Sequence, residues 1–284
     1  MNKRIRFLIF ALVLLLVVGY FASLLPREEG PRGDALTISV LDVGQGDSVF
    51  IELPGGETVL IDAGEGKYAD GIISYINSAG YSTLNYVVAT HPHADHIGGM
   101  AKVLRAFDVV NVYMPKLSHT TVTFEKLLDT IEQKGLTIKT AKAGVVCFES
   151  EELRVEFIAP VADSYKNLNN SSAVMLLSYG GRRFVFMGDA ETEAERDIMD
   201  NTSNLNVDWI KLGHHGSGTS SGDEFLRWLS PSFAVISVGK GNDYHHPAKN
   251  TLKKLRDQGI QIWRTDEDGA VVFSCDGYEI FSPD

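Results

Sequence analysis

Thr90-His91-Pro92-His93-Ala94-Asp95-His96 follows directly on the apolar stretch Tyr86 to Ala89 and sets four metal-capable side chains within six positions. In an extended or turning segment His91 and His93 point the same way and can share one ion, while Asp95 and His96 turn toward a second. Imidazole nitrogen and carboxylate oxygen suit Zn²⁺, and also Mn²⁺ or iron. A run of this density at a strand end reads as a functional loop on a rigid scaffold. A lone histidine would not carry that reading.

Working outward, the other histidines fall into place around it. Of the eight in the chain, three lie in this run, two are His214-His215, two are His245-His246, and His119 stands apart. Each later pair follows a predicted strand. His214-His215 precede Gly216-Ser217, a small-residue turn that brings backbone close to a ligand. Asp189, in Met187-Gly188-Asp189, ends another strand and is the carboxylate suited to bridge two ions. Asp62, after Val59-Leu60-Ile61, is expected to orient a ligating imidazole.

The pattern between these points alternates strands with helices. Strands are expected over Thr37 to Val43, Ser48 to Leu53, Thr58 to Ile61 and Tyr86 to Ala89, with helices over Ala69 to Ser78, His96 to Ala106 and Phe124 to Lys134. A hairpin joins Val174 to Ser178 and Arg183 to Met187 through Tyr179-Gly180-Gly181, and a helix from Glu191 to Asp200 follows. Strands near Asp208 to Leu212, Phe233 to Val238, Gln261 to Arg264 and Ala270 to Ser274 then enclose helices near Asp223 to Leu229 and Ala248 to Asp257. No repeat or second linker interrupts this order. One α/β domain over 35–284 is the simplest division.

Leu60-Ile61-Asp62-Ala63-Gly64, the H-x-H-x-D-H run, Gly188-Asp189 and His214-His215-Gly216-Ser217 resemble, in order, the metallo-β-lactamase superfamily. That resemblance implies a four-layer αββα sandwich. More narrowly, Leu41-Asp42-Val43-Gly44-Gln45-Gly46-Asp47-Ser48, Asn169-Asn170-Ser171-Ser172, Gly188-Asp189-Ala190-Glu191, Lys211 to Ser217 and Asn242 to Pro247 look like the hydrolase domain of the ComEC/Rec2 competence proteins. In those DNA-uptake proteins the domain accompanies a multi-helix channel and is thought to degrade DNA. No second long apolar run follows here, so the resemblance bears on the hydrolase chemistry more than on transport. A separate channel is then a candidate partner. The broader superfamily supplies a third histidine to its first ion from a position near Asn169-Asn170. Asparagine here implies a weaker or water-completed first site, more tolerant of Mn²⁺.

The start of the chain reads differently. Phe7 to Leu25 carries no charge, is rich in Leu, Val and Phe, and follows Lys3, Arg4 and Arg6. Residues 1–25 therefore read as a single hydrophobic helix, an uncleaved membrane anchor or alternatively a secretory signal. The basic flank stays cytoplasmic, so the remainder is expected outside the membrane. Residues 26–34 read as a linker. The formal net charge of −11 argues against a protein that holds nucleic acid on a general basic surface. Cys147 and Cys275 are the two cysteines, and in apolar strands they read as free core residues before they read as a disulfide.

The expected function is a two-metal hydrolysis of a phosphodiester, most naturally DNA, outside the cytoplasmic membrane. His91, His93 and bridging Asp189 hold one ion; Asp95, His96, Asp189 and His215 hold the other, Zn²⁺ before Mn²⁺. His214 or His246 faces the substrate, with His246 the preferred proton donor. Asp47, Asp62, Asn169, Asn170 and Ser217 support the ligands or the substrate. Two alternatives stand beside this: an esterase or phosphodiesterase acting on a wall polymer or small ester, and a non-catalytic membrane-tethered DNA-binding module.

Overall fold

The computed structural model describes residues 33, 35–203 and 205–283. The hydrophobic helix expected over 1–25 and, Gly33 apart, the linker over 26–34 lie outside them. Among the described residues no helix is long and apolar enough to cross a membrane.

The described residues begin with β1 (Leu36–Val40), β2 (Val49–Glu52), β3 (Thr58–Ile61), α1 (Ala69–Ser78) and β4 (Thr83–Val88). Two short helices follow, α2 (Ala94–Ile97) and α3 (Met100–Ala106), then β5 (Asp108–Met114), α4 (Val122–Gln133), β6 (Ile138–Thr140), β7 (Val146–Glu149) and β8 (Leu153–Ala159). The second half runs β9 (Val174–Tyr179), β10 (Arg182–Phe186), α5 (Thr192–Asn201), β11 (Trp209–Lys211), α6 (Asp223–Leu229), β12 (Phe233–Ile236), α7 (Lys249–Asp257) and β13 (Gln261–Arg264). It closes with α8 (Thr265–Asp268), β14 (Val271–Cys275) and β15 (Ile280–Phe281).

One sheet has eight strands in the order β15-β14-β1-β2-β3-β4-β5-β6, and the other has seven, β13-β12-β11-β10-β9-β8-β7. Period-2 alternation sends one set of side chains from each sheet inward. Ile38, Ile51 and Phe273 of the first meet Phe157, Phe184 and Trp209 of the second in one buried cluster. The opposite faces bury Phe50, Leu60 and Val87 against Ile72, Leu104 and Leu127, and Val185, Ile210 and Ala234 against Ile198, Leu226 and Leu255. The result is a four-layer αββα sandwich, with helices on both outer faces. Each large apolar side chain so buried contributes roughly 1.5–3 kcal/mol. Trp209 packs on Phe186 and Phe273 at ring separations of 5.2 and 5.9 Å and anchors the middle of that core.

Two differences from the sequence reading have clear causes. The helix expected from His96 to Ala106 is broken, because Gly98 and Gly99 lie against the backbone of Ala94 and Ala63. A Cβ at either glycine would strike a carbonyl oxygen, so the break lets this loop pack directly on the end of β3. The stretch 108–159 also holds four strands that periodicity did not isolate. In β8 the burial alternates cleanly at first, with Arg154 and Glu156 paired on the outer side. The three residues of β6 are all exposed and have no apolar pattern to read. Cys147 and Cys275 are both free.

Candidate metal centre

The parallel strands β3, β4, β10, β11 and β12 point their carboxyl ends toward one rim, where their connecting loops meet. Functional side chains from these loops converge in a cavity of about 390 Å³ lined by Gln45, His93, Asp95, Asn169, Asp189 and His214, together with His215, Tyr244 and His246. The backbone is bent hard to bring them there. Asp62, His214, His215 and His245 all have φ between 48° and 57°, in the left-handed region that disfavours side chains.

Asp189 is the hub. Its Oδ1 stands 3.2 Å from His96 Nε2 and 3.5 Å from His215 Nε2. Its Oδ2 stands 3.7 Å from His91 Nε2 and 3.8 Å from His214 Nε2. Asp95 Oδ2 lies 3.4 Å from the same His215 nitrogen. Two groups of ligand atoms therefore share Asp189: Asp95, His96 and His215 on one side, His91 and His93 on the other.

A direct test of fit for metal lies in the unpaired atoms. His96 Nε2, His215 Nε2 and Asp189 Oδ1 are buried with no hydrogen-bond partner among the described residues. Orphaned buried polar atoms are costly. Three converging on one point within ligand distance of a shared ion are explained by a cation, which satisfies all of them at once.

The outer nitrogens and carboxylates are firmly held. Asp62 Oδ1 accepts Thr90 N–H at 2.8 Å, while its Oδ2 accepts Thr90 Oγ1 at 2.6 Å and His96 Nδ1 at 2.8 Å. His215 Nδ1 donates to Ser237 O at 3.0 Å, which turns Nε2 inward. Lys211, almost wholly buried, donates to Asp47 and to Gly188 O. Such contacts fix the tautomer and direction of a ligand.

Charge follows this layout. Burial and the neighbouring His96 hold His91 well below the usual imidazole range. Burial also opposes a proton on His96 and His215, yet Asp189 and its companion carboxylates win, lifting His96 well up and His215 to about 9. Burial resists ionisation of Asp47, but Lys211 and His215 hold it down at about 2. The carboxylates thus gather positive charge, which protons or divalent cations can supply.

The remaining expected residues are placed differently from one another. His214 points Nε2 at Asp189, and its Nδ1 pairs with Glu191 Oε1 at 2.9 Å. His246 lies 5.5 Å from His214 between ring centroids, stacked on Tyr244, with a buried and unpartnered Nδ1. Burial, His214 and His215 hold it down at about 4. Asn169 lines the cavity and donates to Glu191 at 3.1 Å. Asn170 instead accepts the backbone N–H of Glu191 and Ala194 and serves the start of α5. The Ser217 hydroxyl pairs with Thr219, whose own hydroxyl lies 3.4 Å from His214 Nδ1. Lys211 and Glu191 carried no assigned role in the sequence, although both sit in the quoted motifs. Their contacts cross 164 and 23 positions, which a linear reading does not display.

Residues 41–240 match the model of the metallo-beta-lactamase superfamily, and the chain belongs to that superfamily. Membership implies divalent metal ions, and the His/Asp clusters are where this chain would hold them. Among curated relatives it is 32% identical over 253 residues to ComE operon protein 3 of Bacillus subtilis (strain 168), covering 83% of this chain and 32% of that protein. It is 31% identical over 260 residues to Competence protein ComA of Neisseria gonorrhoeae, covering 91% and 35%. The chain spans about a third of the length of these relatives. The metallo-beta-lactamase fold protein YhfI from Bacillus subtilis superposes with a TM-score of 0.55 at 12% identity, over 86% of this chain and 100% of that one, a likeness of fold.

Proposed function

We propose that this chain is a two-metal phosphodiester hydrolase that cuts a nucleic acid strand outside the cytoplasmic membrane. The observation that carries the reading is the pair of ligand groups joined through the two oxygens of Asp189. Similarity to two competence proteins supports a nucleic acid substrate. Zn²⁺ suits the mixed imidazole and carboxylate set, and Mn²⁺ is the second candidate.

Divalent ions held at such a site would supply Lewis acidity toward a water nucleophile and a phosphoryl oxygen. Asp95, His96, Asp189 and His215 would hold the second ion. His91, His93 and Asp189 would hold the first, with His214 joining them. That assignment moves His214 from substrate contact to ligand: Glu191 grips its Nδ1, so Nε2 faces the same Asp189 oxygen as His91. It also supplies what asparagine at position 169 withholds.

His246 is left to face the substrate. Neutral in the free protein, it would take a proton from solvent when a phosphodiester anion lies beside it and supplies the counter-charge. It then gives its proton to the departing oxygen. The test is metal analysis of the purified protein, followed by assays with Zn²⁺ or Mn²⁺ on single-stranded DNA, duplex DNA and small esters. Two equivalents per chain and cleavage of DNA are expected; turnover confined to small carboxylic esters would sink the proposal.

A further inference from the structure

Beside the metal pocket lies a second cavity of about 920 Å³, more than twice its size. It is built from the loops that leave β5, β6 and β8, and its lining includes Lys116, Lys142, Asp163, Tyr165, Leu168 and Ser171. The two cavities share a wall. In the 3-10 turn Leu168–Ser171, Leu168 and Ser171 face the larger cavity while Asn169 faces the metal pocket. The loop that carries Lys116 also carries His119, whose ring lies 6.3 Å from that of His93.

The lining has a definite chemistry. Lys142 pairs with Asp163 at 2.6 Å, on side chains 44% and 93% exposed. An ion pair so exposed contributes little, so the lysine can exchange its partner for a phosphate. Lys116 acts on the same carboxylate by charge alone. Lys116 and Lys142 stand with Asp163 on this rim of a chain of net charge −11, while Asp197 lies behind the ring as the acceptor of the Tyr165 hydroxyl. Tyr165 adds a half-buried ring held rigidly, because its hydroxyl donates to Asp197 at 2.5 Å and accepts Ala162 N–H at 3.2 Å. A fixed aromatic face with cations beside it binds bases by stacking and the backbone by charge. Duplex DNA keeps its bases stacked on one another and offers none to such a ring.

We propose that this cavity is a binding groove for an unpaired nucleic acid strand, which runs from the metal centre past Leu168 with its phosphates on Lys116 and Lys142 and a base on Tyr165. The assignment rests on the phosphodiesterase reading for the direction of the strand, and it makes the preferred substrate single-stranded. A base-free phosphodiester polymer would use the lysines but not the ring.

Fluorescence anisotropy with end-labelled oligothymidylates in the presence of a chelator separates binding from cleavage. The full chain is expected to bind a strand of about 12 nucleotides at least tenfold more tightly than a dinucleotide or a duplex of equal length. The double variant Lys116→Glu/Lys142→Glu is expected to lose at least tenfold in affinity and to flatten the salt dependence, with its thermal midpoint unchanged. Tyr165→Leu should weaken the oligonucleotide and leave inorganic polyphosphate unaffected. Equal affinity of the wild type and the double variant overturns the groove. Binding of a glycerol-phosphate polymer as tight as that of the strand, with no effect of Tyr165→Leu, overturns the nucleic acid as its occupant. Lysine-dependent binding without metal-dependent cleavage keeps the groove and removes the hydrolase reading. Equal kcat/KM of both metal-loaded forms on the long strand removes the groove and keeps that reading.

Discussion

Lys211 Nζ donates to the carboxylate of Asp47 across 164 positions of sequence, and both side chains are buried behind His215. The same carboxylate lies 3.4 Å from His215 Nδ1 and 3.8 Å from His96 Nδ1. One ion pair therefore joins the β1–β2 loop to β11 and backs two imidazoles of the site. Lys211→Met takes from the buried Asp47 carboxylate its hydrogen-bonded ammonium, and a loss of about 3–5 kcal/mol is expected. The double variant Lys211→Met/Asp47→Asn should recover part of that loss. Chemical denaturation of the four species checks the coupling; additive losses would refute it.

Asp189 and His215 differ in how many ions depend on them. Asp189→Asn weakens the carboxylate that both ligand groups share, so the metal content of the purified protein is expected to fall below one equivalent. His215→Ala removes a ligand from one group, and one equivalent should remain. Inductively coupled plasma spectrometry distinguishes the two outcomes.

Asp62 holds His96 by Nδ1 and Thr90 by two hydrogen bonds. Replacing it with alanine frees the imidazole to rotate. Metal affinity is expected to drop about 10–100-fold, as measured by competition with a chromophoric chelator. An unchanged affinity would mean that packing alone orients His96.

Gly46 has φ +142°, and a Cβ there would collide with the Asp95 carbonyl. The adjoining Asp47 N–H donates to that same carbonyl at 3.1 Å. Gly46→Ala must push the metal loop away or strain the turn, at a cost on the order of 3 kcal/mol. Thermal unfolding reports the cost, and metal titration reports the displacement of Asp95.

Glu195 on α5 accepts the backbone N–H groups of Ser221 and Gly222, the latter at 2.9 Å. Burial pushes its carboxyl up from 4.5 to about 7, against those two hydrogen bonds and Lys254. Between these values the folded protein keeps a proton that the unfolded chain has lost. Its contribution to stability is therefore full below about pH 4.5, falls as pH rises to about 7, and is level above that. The fall is on the order of 3 kcal/mol. Comparison of denaturant midpoints of the wild type and Glu195→Gln across this range isolates it, since glutamine has no proton to lose.

Much of this protein was legible in one dimension because its chemistry is local. His91 and His93 sit on the short loop after β4 and Asp95 and His96 on the helical turn α2 that follows it, and strand ends mark where Asp189 and His215 emerge. Period-2 and helical patterns located most strands and helices of both halves. They missed β5 to β8, of which the three residues of β6 show no apolar face, and they joined α2 to α3 across glycines whose role is a close backbone contact.

By itself, then, the sequence determined the ligand types, their order and the layered α/β class, all of which follow from spacing and side-chain chemistry. Only the tertiary structure decided their partners. It turned His214 toward Asp189, set Asn170 against the backbone of Glu191 and Ser217 against Thr219, and paired Lys211 with Asp47. It also laid the loop of Lys116 beside the pocket through His119. The physical reason is the same in each case: hydrogen-bond direction and desolvation depend on three-dimensional neighbours, and strands far apart in the chain meet only when the two sheets close on their common core.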